Sequence, residues 1–281
     1  MKEAVRESYD WCRWVARSRA RNFYYSFVLL PRPKREAMCA VYAFMRVCDD
    51  LSDEPGARRA ALDAWRASLD RALQGDYDGH PCWPALHDTV RRYGLPAKYL
   101  HEMIDGVSSD LEPRRIETFE ELYRYCYLVA SVVGLTIIHI FQFDSPEALP
   151  MAEKCGIAFQ LTNILRDVRE DRERGRVYLP EEDLRRFGVD PARFVYDQRF
   201  RELMSFEAGR ARQYYREAGP LVELVHKDSR RSLAALIAIY RRLLDKIERS
   251  GYDVLSRRVQ LSAAEKAWVV ACSYLGGLRS C

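Results

Sequence analysis

The sequence predicts an all-α, single-domain fold over residues 1–281. Long segments repeat apolar residues at helical spacing, and no segment between turn signals alternates apolar and polar residues as a strand does. Breaks rich in Gly and Pro recur along the chain and separate about eight to ten helices. None of these breaks is long or polar enough to be a domain linker, so one helical domain is expected.

The first long helix is predicted in the segment REAMCAVYAFMRVCDDLSD. Its apolar residues recur every three or four positions, which places them on one stripe that faces a core. These residues are Ala37, Val41, Phe44, Met45 and Cys48. The acidic end of the segment therefore continues a helix whose apolar stripe is buried.

Three more long helices follow along the chain. FEELYRYCYLVASVVGLTIIHIF begins after Thr118, which is predicted to form a capping box with Glu121. EKCGIAFQLTNILRDVRED is the next, and LIAIYRRLLDKIERSGY is the last. Gly251 is expected to close the last of these helices, because glycine adopts the left-handed conformation that ends many helices.

The composition is that of a soluble globular protein, with 48% hydrophobic and 31% charged residues. The 45 basic and 41 acidic residues are interleaved, which is typical of solvated helix faces and argues against a nucleic-acid partner. The eight Cys include no CxxC pair, so we expect reduced, mostly buried thiols in a cytoplasmic protein. The N-terminus has no apolar signal core, and the longest apolar stretch, Leu128–Phe143, is shorter than the roughly 20 residues of a membrane span.

An acidic series ends the first long helix. Asp49, Asp50 and Asp53 are followed by Glu54, and the four-residue step from Asp49 to Asp53 puts both carboxylates on one face. Paired carboxylates repel each other unless a cation lies between them. Mg²⁺ suits such a site, because it accepts a few carboxylates and leaves positions for phosphate and water. A polar helix end on the surface is the alternative, although the helix dipole disfavours acidic residues there.

A second series lies in the third long helix. Asn163, Asp167 and Asp171 are spaced four residues apart and face one way over two turns. The arginines around them are Arg166, Arg169, Arg172, Arg174 and Arg176. Carboxylates for a metal and guanidiniums for phosphate are what a diphosphate site requires. A solvated charged face is the alternative, and it accounts for the arginines better than for the aligned Asn and Asp.

Two such series in one helical chain are more specific than either alone. Facing helices of a bundle can hold carboxylates at the mouth of a cavity with apolar walls below. That arrangement suits the ionisation of an allylic diphosphate, because Mg²⁺ stabilises the leaving pyrophosphate and the walls keep water from the carbocation.

Three segments, in this order, resemble the signatures of the squalene/phytoene synthase family: FVLLPRPKREAMCAVYAFMRVCDDLSDE, YCYLVASVVG and CGIAFQLTNILRDVREDRERGRVYLP. The resemblance runs from about Phe23 to Arg258. It implies the helical bundle of the class I isoprenoid synthases, with a central apolar cavity. It also implies an enzyme that joins two prenyl diphosphates head to head with Mg²⁺.

The resemblance implies roles for individual residues. The metal-binding positions are Asp49, Asp50, Asp53, Asn163, Asp167 and Asp171. The positions expected to contact the diphosphate or line the pocket are Arg46, Tyr42, Gln160, Asn163, Arg166, Tyr178, Tyr240 and Arg258. Arg257 remains an alternative to Arg258, because the alignment is ambiguous by one residue. Tyr127 matches a tyrosine implicated in the cyclopropyl intermediate, and it is predicted to be catalytic together with Asp49, Asp53, Asp167 and Asp171.

Two departures from the family pattern bear on the site. The family often has a Ser-x-Ser-Phe element near its start, where this chain reads Ala20-Arg21-Asn22-Phe23. Asn22 is expected to contact diphosphate in place of the serine. The central segment reads VASVVG instead of VAG, which is more similar to the bacterial presqualene diphosphate synthases of hopanoid pathways.

The function predicted is therefore the 1′–1 condensation of two farnesyl diphosphates to presqualene diphosphate. Phytoene synthesis from geranylgeranyl diphosphate, dehydrosqualene synthesis and full squalene synthesis remain open, and only the last requires NADPH. A non-catalytic scaffold is a further alternative, although both aspartate series are intact. We expect a cytoplasmic enzyme in peripheral contact with the inner membrane, where its product would be released. The oligomeric state cannot be read from the sequence.

Overall fold

The structure, a computed structural model, describes residues 2–19, 27, 29–53, 58–111 and 115–274. Helices joined by turns and loops make up this part of the chain. These ranges contain no β-strand, only an isolated bridge between Phe143 and Val225. The α-helices are α1 (Lys2–Arg19), α2 (Arg32–Asp53), α3 (Arg58–Leu73), α4 (Trp83–Tyr93), α5 (Ala97–Ser109), α6 (Phe119–Cys126), α7 (Val132–Phe141), α8 (Ala148–Glu173), α9 (Glu181–Phe187), α10 (Gln198–Glu217), α11 (Leu221–Leu224), α12 (Lys227–Arg249) and α13 (Ala263–Tyr274). The predicted all-α class is confirmed.

The predicted helix ends follow from local hydrogen bonds. The Thr118 hydroxyl accepts a bond from the Glu121 N–H at 3.3 Å, which confirms the cap of α6. The Glu121 carboxylate accepts from the N–H of Glu117, one residue before the position that a capping box would use. Gly251 has a φ of +67° and its N–H donates to the Glu248 carbonyl, so it ends α12 as expected.

The predicted central helix spans Phe119–Phe141 without a break, but it is not α-helical throughout. Between α6 and α7 the chain forms a π-helical turn, the π segment (Tyr127–Ser131). Two glycines pack against this turn: a β-carbon on Gly156 would lie 2.4 Å from Ser131 Cα, and one on Gly106 would lie 2.8 Å from the Leu128 carbonyl oxygen. Helix α8 thus packs directly on the π segment, and a π turn is a common local change at functional sites.

Helix α8 lies at the centre of the structure. It packs against α7, the π segment, α10 and α12, and contributes to both buried apolar clusters of the protein. Residues Phe119–Phe141 are long and apolar enough to cross a membrane by length and composition, but 56% of the apolar 18-residue window within them is buried in the protein. This stretch is therefore read as a core segment. The single-domain assignment over residues 1–281 stays a prediction.

A buried lysine ties three helices together at the end opposite the first acidic series. Lys34 Nζ donates to the Phe141 carbonyl at 2.8 Å, to Asp228 Oδ1 at 2.7 Å and to Ser229 Oγ at 3.1 Å. A buried ammonium group is tolerated when it is paired in this way. The contacts fix the start of α2 against the end of α7 and the start of α12.

The described cysteines follow the expectation except at Cys272. Six buried cysteines are free: Cys12, Cys39, Cys48, Cys82, Cys126 and Cys155. Cys272 is disulfide-bonded, so the expectation that the thiols are reduced is wrong at this residue.

Candidate active site

An apolar cavity of about 210 Å³ lies between α2, the π segment, α7, α8 and α12. Most of its lining is aliphatic or aromatic, with polar groups from Gln160, Asn163 and Tyr240. The apolar part includes Met45, Val129, Val133, Ile137, Ile138, Phe159, Leu221 and Leu233. The central apolar cavity predicted from the sequence is present.

Each aspartate series lies one helical turn beyond a residue that lines this cavity. Met45 of α2 and Asn163 of α8 line it. Asp49 and Asp167 each follow by four residues, which is one further turn on the same helix face. Each helix therefore carries its carboxylates one turn beyond the cavity wall, and we call these two turns the rim of the cavity. The backbone of Asp53 ends α2, but its side chain lies outside the described part of the structure, and so does all of Asn22.

Arginines hold the first series. The Arg46 guanidinium hydrogen-bonds Asp50, and its Nη1 lies 3.9 Å from Asp49 Oδ2. Arg19, at the end of α1, donates from Nη1 to both oxygens of Asp50 at 3.0 Å. Two guanidiniums thus share the Asp50 carboxylate, so the predicted Arg46 lies at this rim together with the metal-binding candidates.

Arginines also hold the second aspartate series. Arg166 Nε donates to Asp167 Oδ1 at 2.8 Å, and a second bond joins Arg166 Nη2 to Asp167 Oδ2. Arg258 Nη2 donates to the same carboxylate at 3.0 Å, and Arg258 Nε lies 3.2 Å from Glu170 Oε1. Of the two alternatives, Arg257 and Arg258, the structure thus brings Arg258 to Asp167.

The two carboxylates of this series differ in pKa. Burial acts to raise the pKa of Asp167, but the bonds and charge of Arg166, followed by those of Arg258, lower it. Burial and the neighbouring charge of Asp167 raise the pKa of Asp171 to about 6, although Arg174 and Arg176 oppose the shift. Asp171 thus carries a negative charge that its protein surroundings do not fully compensate.

The oxygen atoms at this rim fit Mg²⁺. Asn163 Nδ2 donates to Gln160 Oε1 at 3.3 Å, whereas Asn163 Oδ1 is buried and has no hydrogen-bond partner among the described residues. An uncompensated carboxylate and an orphaned carbonyl oxygen are hard donors of the kind that Mg²⁺ prefers. The described residues contain no preformed cluster of three or more acidic, Cys or His ligands. Phosphate and water would therefore complete the coordination of Mg²⁺.

A basic pocket of about 180 Å³ adjoins the apolar cavity and shares Leu236 and Tyr240 with it. Arg166, Arg258 and Lys266 all line it. Burial and the charge of Arg166 lower the pKa of Lys266. Three cationic side chains in one pocket suit an anion with several oxygens, such as a diphosphate.

Sequence reasoning missed Lys266. Its surroundings, SAAEKAW, read as the start of an ordinary amphipathic helix. The local sequence instead forms a helix cap. Ser262 Oγ accepts the Glu265 N–H at 3.1 Å, and the Glu265 carboxylate accepts the Ser262 N–H at 2.6 Å. This capping box fixes the first turn of α13, where Lys266 lies.

The predicted tyrosines are not equally placed. Tyr240 lines both cavities and stacks on Phe159, with ring centroids 4.1 Å apart. Tyr178 donates to Asp110 Oδ1 at 3.1 Å and lies beside Asp171 at a small secondary cavity. Tyr42 is partly buried on α2, and burial raises its pKa.

Tyr127 lies in the π segment, and its hydroxyl donates to Glu102 Oε2 at 3.1 Å. Burial and the Glu102 charge raise the pKa of Tyr127. Within the described part of the chain, neither Tyr127 nor Tyr42 lines the apolar cavity. The small residues after Tyr127 serve helix packing, since Ser131 meets Gly156 and a β-carbon on Gly134 would lie 3.2 Å from the Ala152 carbonyl oxygen.

Comparison with known proteins places these features in a family. The family model described as squalene/phytoene synthase matches residues 16–265. The chain is 38% identical to the 15-cis-phytoene synthase of Synechococcus elongatus, over 96% of this chain and 92% of that protein. It is also 38% identical to the phytoene synthase of Mycobacterium tuberculosis, over 96% and 91% of the two chains.

Solved structures give the same result. A dehydrosqualene synthase in complex with a ligand is similar with a TM-score of 0.89 and 30% identity, over 98% of each chain. The squalene synthase HpnC from Alicyclobacillus acidocaldarius is similar with a TM-score of 0.84 and 31% identity, over 88% of this chain and 95% of that one.

Proposed function

The chain belongs to the squalene/phytoene synthase family, as a prenyltransferase of head-to-head condensation, and we propose that it converts two farnesyl diphosphates to presqualene diphosphate. One observation carries the proposal. Met45 and Asn163 line one apolar cavity, and each lies one helical turn before an aspartate series. A prenyl chain inside the cavity would thus place its diphosphate among the carboxylates and arginines of the rim.

We propose that Mg²⁺ is held by oxygens of both series. The candidates are Asp49, Asp50, Asp53, Asn163, Asp167 and Asp171. When bound, Mg²⁺ would neutralise charge on the leaving pyrophosphate.

The residues of the chain would bind the two diphosphates and position the substrates for condensation. Arg166, Arg258 and Lys266 hold diphosphate oxygens in the basic pocket, and Arg46 holds those near the first series. The C1–O bond of one substrate breaks, with its electron pair leaving on pyrophosphate. C1 then bonds to the 2,3 double bond of the second substrate, and loss of a proton closes the cyclopropane.

Apolar walls protect the carbocation from water during this step. We assign the departing proton to the released pyrophosphate or to Tyr127, which does not line the cavity itself but lies two residues before Val129 of its wall. The Tyr127 hydroxyl already donates to Glu102, so it can accept a proton while passing its own to that carboxylate.

A second candidate function, phytoene synthesis, differs from the first in the length of the prenyl chain of its substrate. The curated relatives at 38% identity are phytoene synthases, which favours the condensation of two geranylgeranyl diphosphates. Against it, Leu233 lies seven residues before Tyr240 on α12, about 10 Å along the helix axis, and Leu221 lies beside it in the cavity wall. We infer that these two leucines limit the depth of the cavity, which would suit the shorter farnesyl chain.

A product assay tests the proposal. Purified protein would receive farnesyl or geranylgeranyl diphosphate with Mg²⁺, with and without NADPH, and the extract would be analysed by mass spectrometry after phosphatase treatment. Presqualene alcohol from the farnesyl samples, with or without NADPH, is the expected result.

Three other results would each change the assignment. Squalene formed only with NADPH would extend the reaction, phytoene formed only from the geranylgeranyl samples would replace it, and dehydrosqualene from farnesyl diphosphate would point to the third route. No condensation product from either substrate would favour the scaffold. As a control on chain length, Leu233→Ala should gain activity with the longer substrate if the leucines limit depth.

A further inference from the structure

Helix α13 exposes an apolar face. Its outward side chains are Ala264, Ala267, Trp268, Ala271 and Tyr274. We call them the outer face of α13. At 100° per residue they fall within an arc of about 120°. Trp268 and Tyr274 are each 60% exposed, which places them among the most exposed large hydrophobic residues of the described chain.

The charged residues of this helix point the other way. Between Ala263 and Tyr274, all described, charge occurs only at Glu265 and Lys266, and both are partly buried. Glu265 pairs with Lys246 of α12 at 2.9 Å, and Lys266 lines the basic pocket. A helix on the surface of a soluble protein ordinarily turns its charges to water and its apolar stripe to the core. The exposed side of α13 has the opposite character.

A cation borders the outer face. The Arg231 guanidinium lies over the Tyr274 ring, 5.2 Å from its centroid. Arg231 is exposed and forms no ion pair with any acidic residue in the described part of the chain. Trp and Tyr next to an uncompensated Arg are the side chains that settle at the boundary between lipid headgroups and acyl chains.

We propose that the outer face of α13 docks on the surface of an anionic lipid bilayer. Ala and Trp would enter the boundary region, and Arg231 would meet lipid phosphates. A second copy of the chain is a poorer occupant. A helix of twelve residues is about 18 Å long and 10 Å wide, so its face covers about 200 Å². A stable dimer buries about 800 Å² on each partner.

The location of α13 connects this surface with the site. Lys266 lies on the inner side of the same helix turn that exposes Ala267 and Trp268, so the basic pocket lies directly beneath the docking face. Docking would hold the basic pocket next to the bilayer. A product with two long hydrocarbon chains is insoluble in water and would be released into the bilayer. That last point rests on the proposed function, whereas the docking itself does not.

Vesicle flotation tests the inference on the purified full chain without substrate. We expect the protein to float with vesicles of phosphatidylcholine and phosphatidylglycerol and to bind pure phosphatidylcholine more weakly. Trp268→Ser should lower the partition coefficient by about tenfold, because a Trp side chain is the largest apolar group on this face. The matched control is Trp14→Ser, since Trp14 of α1 is exposed to a similar degree, 63%. It should change binding less than twofold.

A second pair of variants tests the face as a whole. Ala267→Glu with Ala271→Glu should abolish flotation, whereas Ala60→Glu with Ala64→Glu adds the same charges at the same spacing on an exposed part of α3 and should not. Thermal unfolding would verify that all four proteins are folded.

Four results would overturn the inference: no flotation of the wild type, equal losses in the Trp14 and Trp268 variants, flotation of the α13 double variant, or a wild-type dimer that Trp268→Ser dissociates. Condensation activity measured in detergent keeps the two proposals separate. An active enzyme that does not float refutes the docking alone, and an inactive protein that floats refutes only the proposed function.

Discussion

Gly156 of α8 packs on Ser131 of the π segment so closely that a β-carbon at position 156 would lie 2.4 Å from Ser131 Cα and 2.7 Å from its nitrogen. The Ser131 hydroxyl also donates to the Glu153 carbonyl at 2.7 Å, one turn earlier on α8. The contact holds α8, which carries the second aspartate series, against the segment that carries Tyr127. It therefore sets the distance between two walls of the apolar cavity.

Replacing Gly156 with Ala should destabilise the protein by about 1–3 kcal/mol, because backbone atoms of the π segment must move to accept the methyl group. Chemical denaturation measures the change. Gly209→Ala is the control, since nothing lies within 4 Å of a β-carbon there and Ala is the better helix former. It should be neutral or stabilising by up to about 1 kcal/mol. A Gly156 variant as stable as the wild type would show that the contact is not rigid.

The limits of sequence reasoning follow from contacts of this kind. The stripe of Ala37, Val41 and Phe44 and the cap at Thr118 are local, and local spacing predicted them. The π segment packs on Gly106 and Gly156, which lie 21 or more residues from it in sequence, so periodicity alone predicted a regular α-helix without the π turn. A backbone approach between distant residues leaves no trace in the spacing of a single helix.

The candidate site divides in the same way. Asp167, Asp171 and Asn163 share one helix face, so their alignment was readable. Lys266 comes to the basic pocket only because α13 packs beside α12, and no local pattern distinguishes it from other lysines. Likewise, spacing does not tell whether Arg257 or Arg258 reaches Asp167, and the structure shows that Arg258 does.

Arg258→Ala should raise the KM for the allylic diphosphate by about 10- to 100-fold, because a charge-assisted contact contributes about 1.5–3 kcal/mol. Steady-state kinetics with farnesyl diphosphate would measure it. Arg257→Ala removes the same charge one residue away, and its KM should stay within twofold of the wild-type value. Equal increases in KM for the two variants would mean that Arg258 contributes only its positive charge and no specific contact with the diphosphate.

Asp167→Ala should lower turnover by about 10³-fold or more while the protein stays folded, since both Mg²⁺ binding and the alignment of Arg166 and Arg258 depend on this carboxylate. Glu173→Ala, at an exposed residue of the same helix that pairs with Arg169, is the control and should retain activity. Asp49→Ala should behave like Asp167→Ala. Near-normal activity in either aspartate variant would refute the metal assignment.

Tyr127→Phe should slow product formation more than tenfold and change the affinity for a farnesyl analogue less than twofold, because it removes the hydroxyl that bonds Glu102 and keeps the ring. Tyr123→Phe is the matched control for this substitution. Tyr123 lies one turn earlier and its hydroxyl also bonds a carboxylate, that of Glu153. Losses of equal size in turnover and affinity would make Tyr127 a structural residue.

The buried carboxyl group of Glu207 should make the free energy of unfolding depend on pH. It is buried with Asp183, and the single guanidinium of Arg210 hydrogen-bonds both carboxylates, while Glu207 Oε2 has no partner among the described residues. Burial is the main cause that raises the pKa of Glu207, and the charge of Asp183 adds to it against the opposing charge of Arg210. The folded protein therefore holds a proton that the unfolded chain releases.

Because the folded state binds more protons in this range, the free energy of unfolding should fall as the pH rises from the ordinary carboxyl pKa through the raised one. The slope from this group is at most about 1.4 kcal/mol per pH unit. Glu207→Gln cannot lose a proton, so its unfolding free energy should vary less with pH across that window. Urea denaturation at several pH values measures the slope, with Glu202→Gln, on an exposed side of the same helix, as the control. If the slope of the Glu207 variant equals that of the wild type, the raised pKa is not the source of the pH dependence.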